Sequence, residues 1–401
     1  MKYQLRRYGE KFLQGVLFSS STVTSLTVIL IIIFLFKEGL GLFNSKPVEK
    51  GYVFAVNSNN PVKELSAKQL KDIFNQDITN WKDIGGNNDT IMLLRVNDLT
   101  RYYTEEQIGE NLENIPSLID EFVNSNTGAL IFISENYLSP DFHGRLIPVK
   151  KITLREFLFG IEWYPTSEPV PTFGIWPLIT GTLLVTLGAI LFALPLGLAT
   201  SIYMAEVTSL RMRNILKPLV ELLAGIPSVV YGFFGLVIIV PLVQQIFRLQ
   251  VGETALAGSI VLGIMALPTI ITISEDALRT TPRSLKEASL ALGATKWQTI
   301  VRVVVPYASS GISTAIILGI GRAIGETMAV LMVTGNAGLV PHSFLVPVRT
   351  IPATIAAELG EAPYGGLHFK ALFALGIVLF FFTVVINFTV ELIKSKKNKM
   401  I

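Results

Sequence analysis

Arg322 and Glu326 form a charged pair deep in the apolar segment 304–334. If this segment is helical, both side chains share one face, because they are four residues apart. Charged groups at such a depth in a membrane are costly unless they are paired or face water, so they are functional candidates by default. The guanidinium could offer transient charge to an oxyanion crossing a pore, while the carboxylate keeps that anion from binding too tightly. We predict that the pair lines a translocation pathway; the alternative is mutual neutralisation within one helix.

A polar and basic segment, EASLALGATKWQTIVRVVVP at 287–306, lies between two strongly apolar ones. It predicts a short amphipathic helix, a break at Gly293 and a second helix that begins at Pro306. Glycine makes such a turn at little cost because it has no Cβ atom, and we expect Glu287 to cap or ion-pair at the joint. With Ala288, these residues would form a rigid knob on the cytoplasmic surface for a separate motor protein to grip. An ordinary amphipathic loop is the alternative.

The segment AGIPSVVYGFFGL at 224–236 contains Gly225, Pro227 and Gly232. Proline removes a backbone hydrogen bond and kinks a helix, whereas small residues let neighbouring helices pack closely. The pattern therefore fits either a gating hinge or simple helix packing.

Several kinds of catalytic site are missing from the sequence. There is no G-x-x-x-x-G-K-[ST] motif and no Gly-Lys dipeptide, so the chain is not expected to hydrolyse ATP. There are no cysteines, and the three histidines (His143, His342 and His368) are scattered, which predicts no metal site. We expect a protein that is not an enzyme by itself and has no cofactor.

The composition, 50% hydrophobic and 16% charged, is that of a membrane protein. A helix of about 20 apolar residues spans a bilayer, and six segments qualify. They fall near 16–36, 175–202, 218–243, 254–274, 304–334 and 370–393. The first is interpreted as an uncleaved anchor, because no A-x-A-like cleavage site follows its long apolar core. The fold class is thus an all-α polytopic membrane protein with about six transmembrane helices.

Basic residues predict the topology, because they accumulate on the cytoplasmic side of a membrane. Both termini are expected to be cytoplasmic, with residues 37–174 outside. That long segment holds 13 Lys and Arg residues against 19 Asp and Glu residues, so the overall charge of +3 comes from the remainder of the chain. The basic balance indicates membrane orientation and no nucleic-acid partner. The residues assigned to the inside are Lys2, Arg6, Arg7 and Lys11; Arg211, Arg213 and Lys217; Arg279, Arg283, Lys286, Lys296 and Arg302; and Lys394, Lys396, Lys397 and Lys399.

Residues 46–168 change in composition and predict a small α/β domain outside the membrane. Buried strands are expected at 52–56, 90–94 and 128–133. Ser66 should cap a helix that runs to Phe74, and Thr104 with Gln107 resembles a capping box.

The amino-acid sequence of this domain resembles one lobe of periplasmic phosphate-binding proteins. The segments that carry the resemblance are NNPVKELSAKQLKDIFNQDITNWKDIGG (59–86) and NTGALIFIS (126–134). That family holds phosphate with the hydroxyls and amides of a Ser-Gly-Thr-Arg turn. The corresponding residues here are Asp98-Leu99-Thr100-Arg101, and a carboxylate would repel a dianion. The resemblance favours a docking or regulatory domain over a phosphate site.

Three motifs in one order, AGIPSVVYGFFGL, the segment 287–306 and GRAIGETMAV (321–330), resemble the permeases of phosphate-specific ABC transporters. PVRTIPATIAAELGEA (347–362) points to the PstC-type subunit. In that family the loop pattern is EAA, three residues, Gly, nine residues, Ile-x-Leu-Pro. Here Ser289 replaces the third Ala, and two valines take the aliphatic positions. These mild changes leave the coupling role expected.

The resemblance implies a MetI-like permease core and a multisubunit importer in the lipid bilayer of the inner membrane. Its expected partners are a PstA-type sister permease, a PstB-type ATPase dimer that binds the ATP, and a PstS-type phosphate-binding protein. In the family, the short helix of the loop sits in a groove of the ATPase.

The expected domains are a cytoplasmic tail and anchor helix (1–45), the α/β domain (46–168) and the permease domain (169–401) with a coupling loop at 281–303. The predicted function is import of inorganic phosphate as a permease subunit. The alternatives are transport of another oxyanion such as molybdate or sulfate, and a membrane sensor that relays phosphate status to a signalling kinase.

Overall fold

The computed structural model describes residues 2–48, 51–109 and 112–398, which fall into two compact units. Residues 1–40 and 176–401 belong to a helical unit, and residues 41–175 to a mixed α/β unit. The boundary after residue 175 is explained by local hydrogen bonds: the short strands Trp163–Tyr164 and Thr172–Phe173 pair with each other, and the Ile175 amide donates to the Phe157 carbonyl. Lys399 lies outside the described residues.

The first helix, α1, spans Lys2–Gly41. The α/β unit follows, and its sheet has the strand order β2-β3-β1-β4, with β1 antiparallel to β3 and β4, and β2 parallel to β3. Its elements are β1 (Tyr52–Val56), α2 (Ala67–Phe74), β2 (Met92–Arg95), α3 (Leu99–Tyr102), α4 (Glu105–Ile108), α5 (Ile115–Ser125), β3 (Ala129–Ser134), β4 (Arg145–Ile147), α6 (Leu154–Phe159), β5 (Trp163–Tyr164) and β6 (Thr172–Phe173).

The sheet buries both of its faces, as the apolar runs of its strands predict. On one face Ala55 and Ile131 pack with α5, and on the other Phe54 and Leu130 pack with Trp81. The Trp81 indole also donates to the Gly128 carbonyl at 3.0 Å, which satisfies its buried N–H group. The helix cap predicted at Ser66 and the capping box predicted at Thr104 with Gln107 are both formed.

The helical unit contains long apolar helices joined by short ones. Its further elements are α7 (Trp176–Ile202), α8 (Leu210–Gly225), α9 (Ser228–Phe234), α10 (Val240–Phe247), α11 (Ala255–Arg279), α12 (Arg283–Ala291), α13 (Lys296–Thr299), α14 (Val305–Ile324), α15 (Met328–Val333), α16 (Ile351–Glu358) and α17 (Leu367–Asn398). Three single π-helical turns occur among these helices. Tyr203–Val207 follows α7, Gly235–Ile239 joins α9 to α10, and Ile300–Val304 joins α13 to α14.

Six helical stretches of the described chain are long and apolar enough to cross a membrane. They are Leu13–Asn44, Trp176–Val207, Ser228–Phe247, Ala255–Arg279, Lys296–Ile324 and Leu367–Thr389. Of these, the stretch formed by α11 is the most buried, and it packs against α7 and α14. The prediction of an all-α polytopic membrane protein with an α/β insert is confirmed.

The predicted third span, 218–243, is wrong at its start. Helix α8 ends at Gly225, and Ile226 and Pro227 are extended, so the membrane-length helix begins at Ser228. The proline explains the difference, because the residue before a proline is driven away from the helical conformation. Helix α8 is therefore a separate amphipathic helix.

Candidate functional site

The segment 283–299 forms two short helices with a sharp turn between them. Helix α12 ends at Ala291, and Gly293 adopts a φ of +84°. A Cβ atom added at Gly293 would meet no heavy atom within 4 Å, so glycine is needed there for its backbone conformation and not for space. Thr295 then begins α13 through a capping box with Gln298.

The prediction that the second helix begins at Pro306 is wrong. The helix starts at Lys296 and continues to Ile324, with Pro306 ten residues inside it. A proline has no N–H group to donate to the preceding turn. The π-helical turn Ile300–Val304 lies directly before it, and there the Val305 amide bonds to the Ile300 carbonyl. This wider turn lets the proline sit within a continuous helix.

Glu287 and Ala288 are exposed on α12. Within the described chain, no hydrogen bond or ion pair of the Glu287 side chain is formed, so the expected cap or ion pair at the joint is not made here. The neighbouring residues hold the loop instead. Lys286 pairs with Glu206 at 2.5 Å, and the Ser289 hydroxyl bonds to the Thr299 hydroxyl at 3.0 Å, which ties α12 to α13.

The turn presents two large apolar side chains to the surroundings. Leu292 is 90% exposed and Trp297 is 64% exposed. Exposed apolar side chains in a loop that also carries charged residues are candidates for a protein contact surface. The sequence interpretation missed both residues, although large apolar side chains in a segment too polar to lie in lipid were a usable signal.

Arg322 and Glu326 do not form the pair that their spacing predicts. Helix α14 ends at Ile324, so Glu326 lies beyond its end, and no ion pair joins the two side chains in the described structure. The Arg322 guanidinium instead donates to the Thr269 hydroxyl of α11 at 3.2 Å. The Glu326 carboxylate accepts only a long 3.5 Å bond from the Ala329 amide. Both charges therefore keep much of their hydrogen-bonding capacity.

Glu326 lines a void inside the helical unit together with Thr182, Thr186 and Thr350. The void is too small to hold a water molecule. The Thr350 hydroxyl is buried and has no hydrogen-bond partner among the described residues. The Glu326 carboxylate and the unpartnered Thr350 hydroxyl thus line the same small void, and a buried hydroxyl without a partner is unusual in a packed interior.

The three glycine and proline positions of segment 224–236 have different roles. Gly225 ends α8 in open space, and Pro227 caps α9 with an extended backbone, so the chain direction changes there. A Cβ atom at Gly232 would come within 2.7 Å of the Met332 sulfur, so this glycine lets α9 pack closely on α15. A hinge at 225–227 stays a prediction, and packing explains Gly232.

A buried acidic residue was missed by the sequence interpretation. Glu275 on α11 is 0% exposed. Its carboxylate accepts from Arg213 at 2.7 Å and Lys217 at 3.3 Å, both on α8, and from Arg279 at 3.4 Å. Burial lowers the pKa of Lys217, but the charges of Glu275 and of Asp276 outweigh burial and raise that pKa overall.

No group of three or more His, Cys, Asp or Glu side chains that could hold a metal ion occurs in residues 2–48, 51–109 and 112–398. The described residues instead form an exposed loop between two membrane-length helices and a cluster of ion pairs around the buried Glu275. Together with the six membrane-length helices, this defines a multi-pass membrane protein with a protruding contact loop.

Residues 193–399 match the family model of the binding-protein-dependent transport system inner membrane component, and residues 36–131 match that of the PBP superfamily domain. The chain belongs to the binding-protein-dependent transport system inner membrane component family. The predicted permease family is confirmed.

Two relatives and one solved structure illustrate the similarity. The "Probable ABC transporter permease protein YqgH" of Bacillus subtilis (strain 168) is 42% identical over 243 residues, 61% of this chain and 78% of the relative. The "Phosphate transport system permease protein PstC" of Mesorhizobium japonicum is 38% identical over 249 residues, 57% of this chain and 75% of the relative. A chain of the inward-facing MetNI methionine ABC transporter is 20% identical with a TM-score of 0.42, covering 55% of this chain and 94% of that one.

Proposed function

We propose that this chain is the PstC-type permease subunit of an ABC importer that carries inorganic phosphate across the inner membrane, with both termini in the cytoplasm. The observation that carries the proposal is the 38% identity to a relative named for phosphate transport, over 75% of that relative's length. The chain itself is not an enzyme in this proposal, and a PstB-type ATPase dimer supplies the ATP hydrolysis.

The loop at 283–299 is the proposed contact with the ATPase. Supporting this, Leu292 and Trp297 are exposed at its tip, whereas the Ser289–Thr299 bond and the Gly293 turn make it stiff. A stiff contact transmits a movement that a flexible loop would absorb. Closure of the ATPase dimer would therefore move α11 and α14, the helices on either side of the loop.

Arg322 is the proposed cation of the pathway, which this chain would share with a PstA-type sister permease. A charge in a membrane-length helix that lacks an acidic partner is costly, and a passing anion relieves that cost. One hydrogen bond to Thr269 orients the guanidinium but leaves most of its donors for phosphate. Glu326 would weaken the binding by repulsion, because a translocation site must release its ligand.

The α/β unit is proposed to dock a PstS-type binding protein and not to bind phosphate itself. The Asp98 carboxylate, which is buried, accepts from the Arg95 guanidinium at 2.7 Å and lies 3.4 Å from that of Arg101. The hydrogen bond that Arg95 donates to Asp98 raises the pKa of Arg95 above its ordinary value. Asp98 offsets one of these two positive charges and competes with a phosphate ion for both guanidinium groups, and its own negative charge would repel the dianion.

The proposal is tested by uptake of labelled phosphate in cells whose only high-affinity importer contains this chain. Uptake that arsenate inhibits and that sulfate and molybdate do not inhibit is the expected result. Uptake of sulfate or molybdate in place of phosphate would show that the substrate is a different oxyanion. Uptake of none of the three would contradict the importer function. Deletion of residues 50–164 with a short linker is expected to raise the apparent KM for binding-protein-delivered phosphate; an unchanged KM would contradict docking.

A further inference from the structure

Glu275 holds together two helices, α8 and α11, that continue into different parts of the protein. It lies on α11 one turn before the end of that helix at Arg279. Both Nε and Nη2 of Arg213 are 2.7 Å from its Oε1 atom, and the Lys217 ammonium is 3.3 Å from its Oε2 atom. Both carboxylate oxygens are therefore used to hold α8 against α11.

These two helices lead to the two moving parts that the proposed function requires. Helix α11 continues through residues 280–282 into α12, the contact helix of the loop. Helix α8 ends at Gly225, and α9 begins three residues later, after the extended backbone at Pro227. A second ion pair, Lys286 to Glu206, holds α12 to the end of the stretch that contains α7.

The apolar contact between α8 and α11 is small. The buried cluster there consists of Met204, Val220 and Ile271, with Leu216 and Leu267 partly buried at its edge. The ion cluster therefore contributes much of the attachment. Without the Glu275 charge, the cations Arg213, Lys217 and Arg279 would face one another, with only Asp276 near Lys217, and the Asp276 side chain is 61% exposed. These cations are partly exposed, and like charges that lose the buried carboxylate between them repel one another, which weakens the attachment of α8 to α11.

We propose that Glu275 is a positioning residue for energy coupling: it makes α8 and α11 one rigid body, so that a displacement of α12 reaches α9 at the bend at 225–227. This inference rests on the proposed function, since it takes α12 as the helix that the ATPase moves. In this arrangement Glu275 touches neither phosphate nor ATP.

The first test uses the full importer, with its sister permease, ATPase and binding protein, in lipid vesicles. It measures phosphate imported per ATP hydrolysed. For Glu275→Gln, which keeps the size and removes the charge, the expected ratio falls at least about tenfold while ATP hydrolysis persists. Glu275→Asp should recover part of the loss. Glu221→Gln, the same chemical change at an exposed position of α8 outside the ion cluster, is the matched control and should keep the wild-type ratio. An unchanged ratio in Glu275→Gln, or equal losses of import and hydrolysis, would overturn the proposal.

The second test does not depend on the transported substrate. Because the chain has no cysteine, spin labels can be placed at Ile215→Cys on α8 and Leu290→Cys on α12, both exposed positions. The mean distance between the labels should be the same in nucleotide-free and ATP-trapped complexes. The distribution of distances should become broader when Glu275→Gln is added. A distance that changes with nucleotide in the otherwise wild-type protein would overturn the rigid-body inference even if phosphate import is normal. Conversely, a constant distance in a complex that imports no phosphate would contradict only the proposed function.

Discussion

Leu292→Ala tests whether the tip of the loop is the ATPase contact. Leu292 is 90% exposed in this chain, so almost all of its side chain is available for burial by a partner. The substitution removes three carbon groups, each worth about 0.8 kcal/mol when buried, which gives about 2.4 kcal/mol. At about 1.4 kcal/mol per factor of ten, the dissociation constant of the ATPase should rise about 50-fold.

The assay is titration of purified ATPase into the detergent-solubilised permease pair, with a fluorescent label on the ATPase. Leu154→Ala is the matched control, because Leu154 is also an exposed leucine but lies on α6 of the α/β unit. The control should bind the ATPase with the wild-type constant. A Leu292→Ala protein that binds within about twofold of wild type would refute the reasoning, since even one third of the estimated free energy, about 0.8 kcal/mol, would raise the dissociation constant about fourfold.

Three further predictions concern the turn, the pathway and the α/β unit. Gly293→Ala should destabilise the loop by about 1 kcal/mol because Gly293 has a positive φ, and hydrogen exchange in 283–299 should become faster. Gly225 is equally free of neighbouring atoms but lies at a helical position, so Gly225→Ala should leave exchange in that segment unchanged. Equal effects of the two substitutions would contradict the backbone argument. Arg322→Ala should lower phosphate uptake at least about tenfold at unchanged membrane abundance, whereas Arg155→Ala on α6 should not; normal uptake in Arg322→Ala would remove this residue from the pathway. Burial raises the pKa of Asp120, but hydrogen bonds from His143 outweigh burial and lower it overall, so this carboxylate stabilises the fold above its unfolded pKa and loses that effect as the pH falls through the folded value. His143→Ala keeps the backbone bond to Asp120 and removes the imidazole bond, so it should weaken exchange protection of α5 in part at about pH 7 and have little effect below the lowered pKa of Asp120; equal loss at both pH values would contradict the linkage.

The α/β unit was largely predictable because its signals are local. Three strands were found within two residues of their true ends, since apolar runs bounded by turn residues identify buried strands. The strand β4 was missed because three residues, Arg145–Ile147, are too few to show a pattern. Its place in the sheet comes from pairing with β1, some 90 residues earlier in the chain, and such pairing is not visible in a short window of sequence.

The candidate site was less predictable because it depends on where helices end. Spacing put Arg322 and Glu326 on one face, but α14 stops at Ile324, and the next residue, Gly325, is a weak helix former. Pro306 predicted the start of a helix, but a π-helical turn accommodates this proline inside a continuous helix. Glu275 escaped notice because its partner Arg213 is 62 residues away in sequence.

The loop and the buried cluster together explain why the chain carries so many charges next to its apolar helices. Lys286 and Glu206 hold α12 to the chain that follows α7, while Glu275 holds α8 to α11. The Glu275 cluster joins two helices whose apolar contact is small, since the described cluster between α8 and α11 has three buried members. Apolar contacts between helices in a lipid environment give little preference for one arrangement, because lipid tails are as apolar as the side chains. Ion pairs have a defined geometry, so a displacement applied at Leu292 would be carried to the bend at Pro227 as a movement of whole helices and would not be lost by sliding between them.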